Sequence, residues 1–145
     1  MKLIVLIPAF NEEKTIASVV KEIPRKISGI NEVKVLVVND GSKDSTVQEA
    51  RRAGADFVVS HSSNRGLGVA FRTGIENALK AGAGIIVNID ADGQFNAKDI
   101  PKLIGPILQG NADFVTCTRF RDKKSIPKMP FIKKFGNGIF TAYYE

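Results

Sequence analysis

Asp90-Ala91-Asp92 follows directly on the apolar run Ile85–Ile89. Two carboxylates at i and i+2 on an irregular strand end can converge on one divalent cation. Hard cations such as Mg²⁺ and Mn²⁺ prefer carboxylate oxygen and share their coordination shell with substrate phosphates. Gly93 lets backbone approach closely, and Gln94 offers a neutral oxygen or amide beside the pair. Asp-x-Asp is common in solvated turns, so its weight here comes from standing at a strand end. A second cluster, Asn39-Asp40-Gly41-Ser42, closes another apolar run. Asp40 can accept hydrogen bonds from a ligand's N–H or hydroxyl groups, Gly41 permits a tight turn, and Ser42 is expected to cap a helix beginning near Asp44. In the third, Pro8-Ala9-Phe10-Asn11-Glu12, proline ends a strand and Asn11 is expected to cap the next helix. Glu12 then falls in the first helical turn, where the helix dipole favours an acid. Asn64-Arg65-Gly66-Leu67-Gly68 is a Gly-rich turn of the kind that holds phosphate at a helix start. It lacks the Lys-Ser/Thr ending of a P-loop and is not GxGxxG, so no dinucleotide cofactor is expected. His61, the only histidine, is read as incidental, since one His makes neither a His-based metal site nor a triad.

These clusters need a scaffold that brings strand ends together. Apolar runs rich in Val and Ile recur at Leu3–Ile7, Val33–Val38, Phe57–Val59, Ile85–Ile89 and Phe114–Thr118. Between them lie helical spacings. Ile16, Val19, Val20, Ile23 and Ile27 form one face, which Pro24 is expected to kink or end early. Leu67, Phe71, Ile75, Ala78 and Leu79 form a second stripe that stops at Gly82. Leu103, Ile104, Ile107 and Leu108 form a third, interrupted by Pro106. Alternating strands and helices imply a mostly parallel sheet covered on both faces, with ligands beyond the carboxyl ends of its strands. That rule selects Pro8–Glu12, Asn39–Ser42, Asp90–Gln94 and Arg119–Arg121.

Composition narrows the class. The chain's 145 residues make one domain's worth, 43% hydrophobic and 25% charged. A single cysteine, Cys117, rules out an intrachain disulfide and argues against a Cys-based zinc site. It reads as a small buried hydrophobe in a reducing compartment. The opening apolar run is too short to span a membrane and is followed at once by Pro8, Asn11, Glu12 and Glu13, so it reads as a buried strand rather than a signal peptide. The formal charge of +6 is local. Residues 1–118 carry 14 basic against 13 acidic residues, whereas seven basic residues and only Asp122 lie between Arg119 and Lys134. This stretch is either a solvated loop or a surface for phosphate or an anionic membrane.

Taken in order, IPAFNE, VVNDGSKDST, NRGLGVAFRTG, NIDADGQ, CTRFR and MPFIKKFGN resemble the inverting family 2 glycosyltransferases. The resemblance is closest to the branch of dolichyl-phosphate mannosyltransferase and polyprenyl-phosphate glycosyltransferases, and it covers essentially the whole chain. It implies an α/β GT-A nucleotide-diphospho-sugar transferase fold, a Rossmann-like, mostly parallel sheet flanked by helices. It also implies one catalytic domain over residues 1–145, C-terminally incomplete, because the acceptor-side elements of the branch do not occur before Glu145. By the same resemblance Pro8, Ala9, Phe10, Asn11, Glu12, Asp40, Asp90 and Ala91 bind the donor nucleotide. Asp90, Asp92 and Gln94 hold Mg²⁺ or Mn²⁺, Asp92 and Arg119 serve catalysis at the diphosphate, and Arg119 and Lys133 meet the acceptor phosphate. Two positions depart from the pattern: Asn39, where many relatives have a second Asp, and Cys117-Thr118, where Gly-Ser is frequent.

The implied partners are a UDP- or GDP-linked sugar and a lipid phosphate acceptor, with peripheral contact at the cytoplasmic face of a membrane. Pro127, Met129, Pro130, Phe131 and Ile132 interleave with lysines as an interfacial segment does. No nucleic acid is expected, because the basic residues form one loop without a recognised motif. The competing readings are a family 2 enzyme using a soluble or glycan hydroxyl, which needs a carboxylate base, and a non-catalytic nucleotide-sugar-binding module. A sugar nucleotidyltransferase would carry a Gly-rich, Lys/Arg-bearing loop after the first strand, which Pro8–Glu12 is not.

Overall fold

The computed structural model of the chain describes residues 1–116. Four strands, β1 (Lys2–Ala9), β2 (Glu32–Asn39), β3 (Phe57–Ser60) and β4 (Ile85–Asn88), form one parallel sheet in the order β3-β2-β1-β4. β1 pairs with β2 from Lys2–Glu32 to Ala9–Asn39, and with β4 from Leu3–Ile85 to Leu6–Asn88. Side chains of β1 are buried on both faces, as a central parallel strand requires. Leu3, Val5, Ile7 and Ala9 face a core shared with α1 (Ile16–Glu22), Ala50 of α2 (Thr46–Arg52), and Ile100 and Ile104 of α4 (Ile100–Leu108). Ile4 and Leu6 face the other core, which Ala70 and Ala78 of α3 (Leu67–Lys80) close.

The connections decide where a ligand belongs. β1 leads through α1 to its neighbour β2, and β2 through α2 to β3. α3 then carries the chain back across the sheet to β4, on the other side of β1. The winding reverses between β1 and β4, so the crevice at their carboxyl ends is the topological switch point.

Local chemistry explains most helix ends. Ile23 is extended (ψ 121) because the following Pro24 disfavours the helical region, so α1 stops at Glu22 and Ile27 packs on the core from outside the helix. α3 ends with Gly82 at φ 78, where Gly82 N–H meets the Leu79 carbonyl and Ala83 N–H the Ala78 carbonyl, a Schellman closure. Pro106 is accommodated inside α4.

Two expectations are corrected. The buried stripe of α3 is Ala70, Gly74 and Ala78, while Leu67 (66%), Phe71 (42%) and Leu79 (60%) are exposed. The helix lies so close to the sheet that a Cβ at Gly74 would overlap the buried Leu6 side chain, and only small residues fit that face. The strand expected over Phe114–Thr118 is not formed over residues 114–116, which carry no ladder pairing to satisfy an extended backbone. Cys117 and Thr118 lie outside the described residues. Met1–Asp113 form one packed unit, and Phe114 begins a second. Among the described residues no helix is long and apolar enough to cross a membrane.

Candidate functional site at the carboxyl edge of the sheet

Every strand delivers polar residues to the same edge. β1 ends in Pro8 and Ala9, both buried, and releases Phe10 (43% exposed), Asn11 and Glu12. Asn11 sits at φ 55, the only non-glycine at positive φ among the described residues, a conformation its short amide tolerates. Two capping expectations fail here. α1 starts at Ile16, so Asn11 and Glu12 belong to the preceding turn. α2 starts at Thr46 behind Ser45, so Ser42 does not cap it.

Asn11 and Ser42 instead bind each other's loops. The N–H groups of Asn11, Glu12 and Glu13 donate in turn to Ser42 Oγ (2.9 Å), Thr46 Oγ1 (2.8 Å) and Asp44 Oδ2 (3.2 Å). In return, Lys43 N–H donates to Asn11 Oδ1 (3.0 Å) and Ser45 N–H to Glu13 Oε2 (3.0 Å). Burial pushes the Asp44 carboxyl up, but its bonds from Thr46 and Glu13 outweigh that and hold it below its ordinary value. The Asn39 amide, buried at the end of β2, accepts from Ser42 N–H (3.0 Å) and donates to Ser60 (3.2 Å). Its position is thereby a structural one within the turn.

Asp40 is 4% exposed. Its carboxylate accepts from the N–H groups of Arg65 (2.9 Å) and Gly66 (2.8 Å) and contacts His61 Nδ1 at 2.7 Å. With an ionised acceptor there, Nδ1 carries the proton, and Nε2 lies 3.0 Å from the Thr73 hydroxyl. Burial pushes the Asp40 carboxyl up, while His61 and the two backbone donors pull it down by more, leaving it below the usual carboxylate value. Three of about four acceptor positions on this carboxylate are thus used within the chain. His61, read from the sequence as incidental, ties β2, β3 and α3 together. The signal that could have found it is its place right after β3, at the edge where Asp40 follows β2. Gly41 has φ 76, and a Cβ there would run into the backbone of Ser63 and Asn64, so the turn holding this network admits only glycine.

The loop after β4 is built differently. Val87, Ile89 and Ala91 are buried in the α1-side core, and Asp90 and Asp92 alternate with them, both exposed. Asp92 Oδ1 accepts from Gln94 N–H (2.9 Å), a local turn. Among the described residues no group of three acidic, His or Cys side chains gathers to hold a metal. A pair of exposed carboxylates suits Mg²⁺-type binding, in which one or two carboxylates act with substrate phosphates. β1 and β4 flank the switch point, so Phe10–Glu12 and Asp90–Gln94 stand on its two sides. Arg119 and Lys133 lie outside the described residues.

The parallel sheet and its helical layers, together with the family and structural matches that follow, place the chain in the GT-A class of nucleotide-diphospho-sugar transferase folds. The chain belongs to glycosyl transferase family 2, whose sequence model matches residues 4–144. It is 39% identical over 136 residues to the uncharacterised protein MJ1222 of Methanocaldococcus jannaschii, covering 94% of this chain and 54% of that one. It is 36% identical over 148 residues to UDP-N-acetylglucosamine–dolichyl-phosphate N-acetylglucosaminyltransferase of Methanococcus voltae, covering 91% and 57%. Among solved structures it resembles glucosyl-3-phosphoglycerate synthase from Mycobacterium tuberculosis in complex with Mn²⁺, UDP-glucose and phosphoglyceric acid. That match has a TM-score of 0.59 and 34% identity, over 75% of this chain and 40% of that one. The chain spans about half the length of the curated relatives it matches.

Proposed function

We propose that residues 1–145 are the nucleotide-sugar-binding part of a family 2 catalytic domain, one that transfers a sugar with inversion from a nucleoside diphosphate sugar to an acceptor. The observation that carries this reading is the exposed pair Asp90 and Asp92 at the switch point of a family 2 chain. Pro8–Glu12, Asp40, Asp90 and Ala91 hold the donor nucleotide, with Phe10 offering an exposed ring and Asp40 at most one further hydrogen bond. Asp90, Asp92 and Gln94 would hold Mg²⁺ or Mn²⁺. Such a cation supplies Lewis-acid stabilisation of the charge that builds on the diphosphate as the glycosidic bond breaks. Arg119 adds charge-assisted hydrogen bonds to phosphate. The Mn²⁺ and UDP-glucose in the related synthase structure support both donor and metal.

The acceptor we propose is a polyprenyl phosphate, met by Arg119 and Lys133 within the basic stretch 119–134, with the chain at the cytoplasmic face of a membrane. The dolichyl-phosphate enzyme of Methanococcus voltae supports this. A lipid phosphate is already an anionic nucleophile at neutral pH, so its attack on the anomeric carbon needs no general base, unlike attack by a hydroxyl. A second reading, a small soluble acceptor, is favoured by the phosphoglyceric acid in the synthase structure.

Calorimetric titration with UDP, GDP and their sugar conjugates, in Mn²⁺ and then in EDTA, tests the donor side. Binding of one nucleotide that disappears with EDTA is the expected result, and a folded chain that binds none overturns it. Sugar transfer to a polyprenyl phosphate in detergent, run beside 3-phosphoglycerate, separates the two acceptors. Binding without turnover on either is the outcome shared by a non-catalytic binding module and by a nucleotide-binding part that turns over only with its acceptor side. Loss of lipid-phosphate use in Lys133→Ala, with donor binding kept, is the outcome expected of an acceptor-phosphate lysine.

A further inference from the structure

The last main-chain bond joining the β1 and β2 ends runs from Asp40 N–H to the Ala9 carbonyl (2.9 Å). Beyond it, the two loops are held by side chains. Three consecutive N–H groups, of Asn11, Glu12 and Glu13, are taken by oxygens of Ser42, Thr46 and Asp44. An N–H group already donating to a side chain is not offered to phosphate. This turn therefore presents the exposed Phe10 ring, with the Asn11 Oδ1 and Glu12 Oε2 oxygens already accepting from Lys43 N–H and the Thr15 hydroxyl, and not an amide cradle for a diphosphate.

Thr46 is the centre of the clasp. It is fully buried, so its hydroxyl serves the protein rather than a ligand. The direction of its bonds is fixed by chemistry. Glu12 N–H can only donate, so the Thr46 hydroxyl accepts from it and gives its own proton to Asp44 Oδ1. Asp44 also accepts from Thr46 N–H (3.0 Å) and from Glu13 N–H (3.2 Å). One ionised carboxylate and one hydroxyl thus fix two successive peptide units beside Asn11, whose left-handed backbone a free loop would leave for more favourable conformations.

Resting on the donor-binding reading above, we propose that Thr46, with Ser42 and Asp44, is a positioning residue for nucleotide binding. It holds the Phe10–Glu12 turn in the conformation the nucleotide meets, so that the ordering cost is met on folding and not on binding.

Calorimetry of the full chain with UDP and with GDP, each with Mn²⁺, tests this in Thr46→Val, Thr46→Ser, Ser42→Ala and the remote control Gly74→Ala. Valine keeps the shape and removes the hydroxyl, and serine restores it. We expect Thr46→Val to weaken the nucleotide by about tenfold, or about 1.4 kcal/mol, with Thr46→Ser within about twofold of the parent and Ser42→Ala about three- to fivefold weaker. Gly74→Ala should lower the melting temperature through its contact with Leu6 and leave the Kd unchanged. Hydrogen exchange at the Glu12 amide should quicken in Thr46→Val alone. Unchanged affinity in Thr46→Val, or affinity losses that track stability across all four variants, overturns the proposal. Should Thr46→Val fail to fold, an unchanged Kd in Ser42→Ala does so. If the parent chain binds neither nucleotide, the donor reading fails and this proposal falls with it. Parent binding without a Thr46→Val effect sinks the positioning role alone.

Discussion

The two sides of the switch point are made in opposite ways. The β1–β2 side is closed on itself. Asp40 is buried and spends its carboxylate on His61, Arg65 and Gly66, and the loops after β1 and β2 exchange five hydrogen bonds. The β4 side is open. Asp90 and Asp92 are exposed, and among the described residues Asp92 accepts from Gln94 N–H, a turn within its own loop. A surface that must recognise a shaped group gains from being rigid before the ligand arrives. A surface that must take a cation gains from carboxylates left in water, where they cost little to keep ionised. Changes on the first side should therefore register in folding stability, and changes on the second in metal response with stability untouched.

Gly41→Ala should have the largest effect on folding. Its Cβ meets main chain, which cannot move aside as a side-chain tip can, and φ 76 adds strain for any residue with a Cβ. Overpacking and left-handed strain together cost about 2–5 kcal/mol, which chemical denaturation would read directly. A Gly41→Ala protein as stable as its parent would mean that the turn against Ser63–Asn64 is not closed. Asp40→Asn comes next. The amide keeps one acceptor oxygen but cannot serve His61 and both N–H groups together, a loss of about 2–3 kcal/mol. Hydrogen exchange at the Gly66 amide should quicken in that variant, since His61 and Arg65 share Oδ1 and Gly66 N–H faces Oδ2, where the amide presents its NH2.

How far the sequence discloses this contrast depends on which force places each residue. Most strands are legible because Val-rich runs have few alternatives, and β1, β2, β3 and β4 lie where four of the five apolar runs are. The Asp90–Ala91–Asp92 alternation is legible for the same reason, since it continues the in–out pattern of β4 past its end. The clasp is not legible. Ser, Thr, Asn and Asp near a helix start read as caps, and nothing local says that Asn11 and Ser42 will find each other across 31 positions. His61 is missed for a similar reason, because its partner Asp40 lies 21 positions away and the two meet only when β2 and β3 pair. The face of α3 is misread because Leu and Phe outweigh Ala and Gly in any hydrophobic count, whereas the helix approaches the sheet closely enough at Gly74 to exclude them.

Acidity should have a gentler effect on folding. Asp40, Asp44 and Asp56 all have folded-state values held below 3.8, Asp56 by the Val35 N–H and by Arg25 and Lys34, against the upward push of burial. A carboxyl depressed on folding stabilises the native state above its unfolded value, and that contribution is lost as pH falls through the folded value. Stability should thus be level near neutrality and decline progressively as pH drops below about 4. Asp44→Asn should reduce the decline. A urea series from pH 6 to pH 3 reads both, and a decline equally steep in Asp44→Asn would remove that carboxyl from the account.

Asp92→Asn should change folding least and sharpen the comparison most. Asp92 is exposed, and asparagine retains an oxygen for the Gln94 N–H, so the change in stability should stay within about 0.5 kcal/mol. The response to ligand is where it should differ. A nucleotide and Mn²⁺ present at about a hundred times their Kd stabilise a native protein by about 2.7 kcal/mol, visible as a rise in melting temperature. In Asp92→Asn the part of that rise that requires Mn²⁺ should vanish, because a neutral amide replaces one of the two carboxylates offered to a hard cation. Thr46→Val should behave in reverse, with a weaker nucleotide response that still requires Mn²⁺. If Asp92→Asn keeps its full Mn²⁺-dependent rise, the open loop after β4 is not the metal side of the site, and the division of labour across the switch point is wrong.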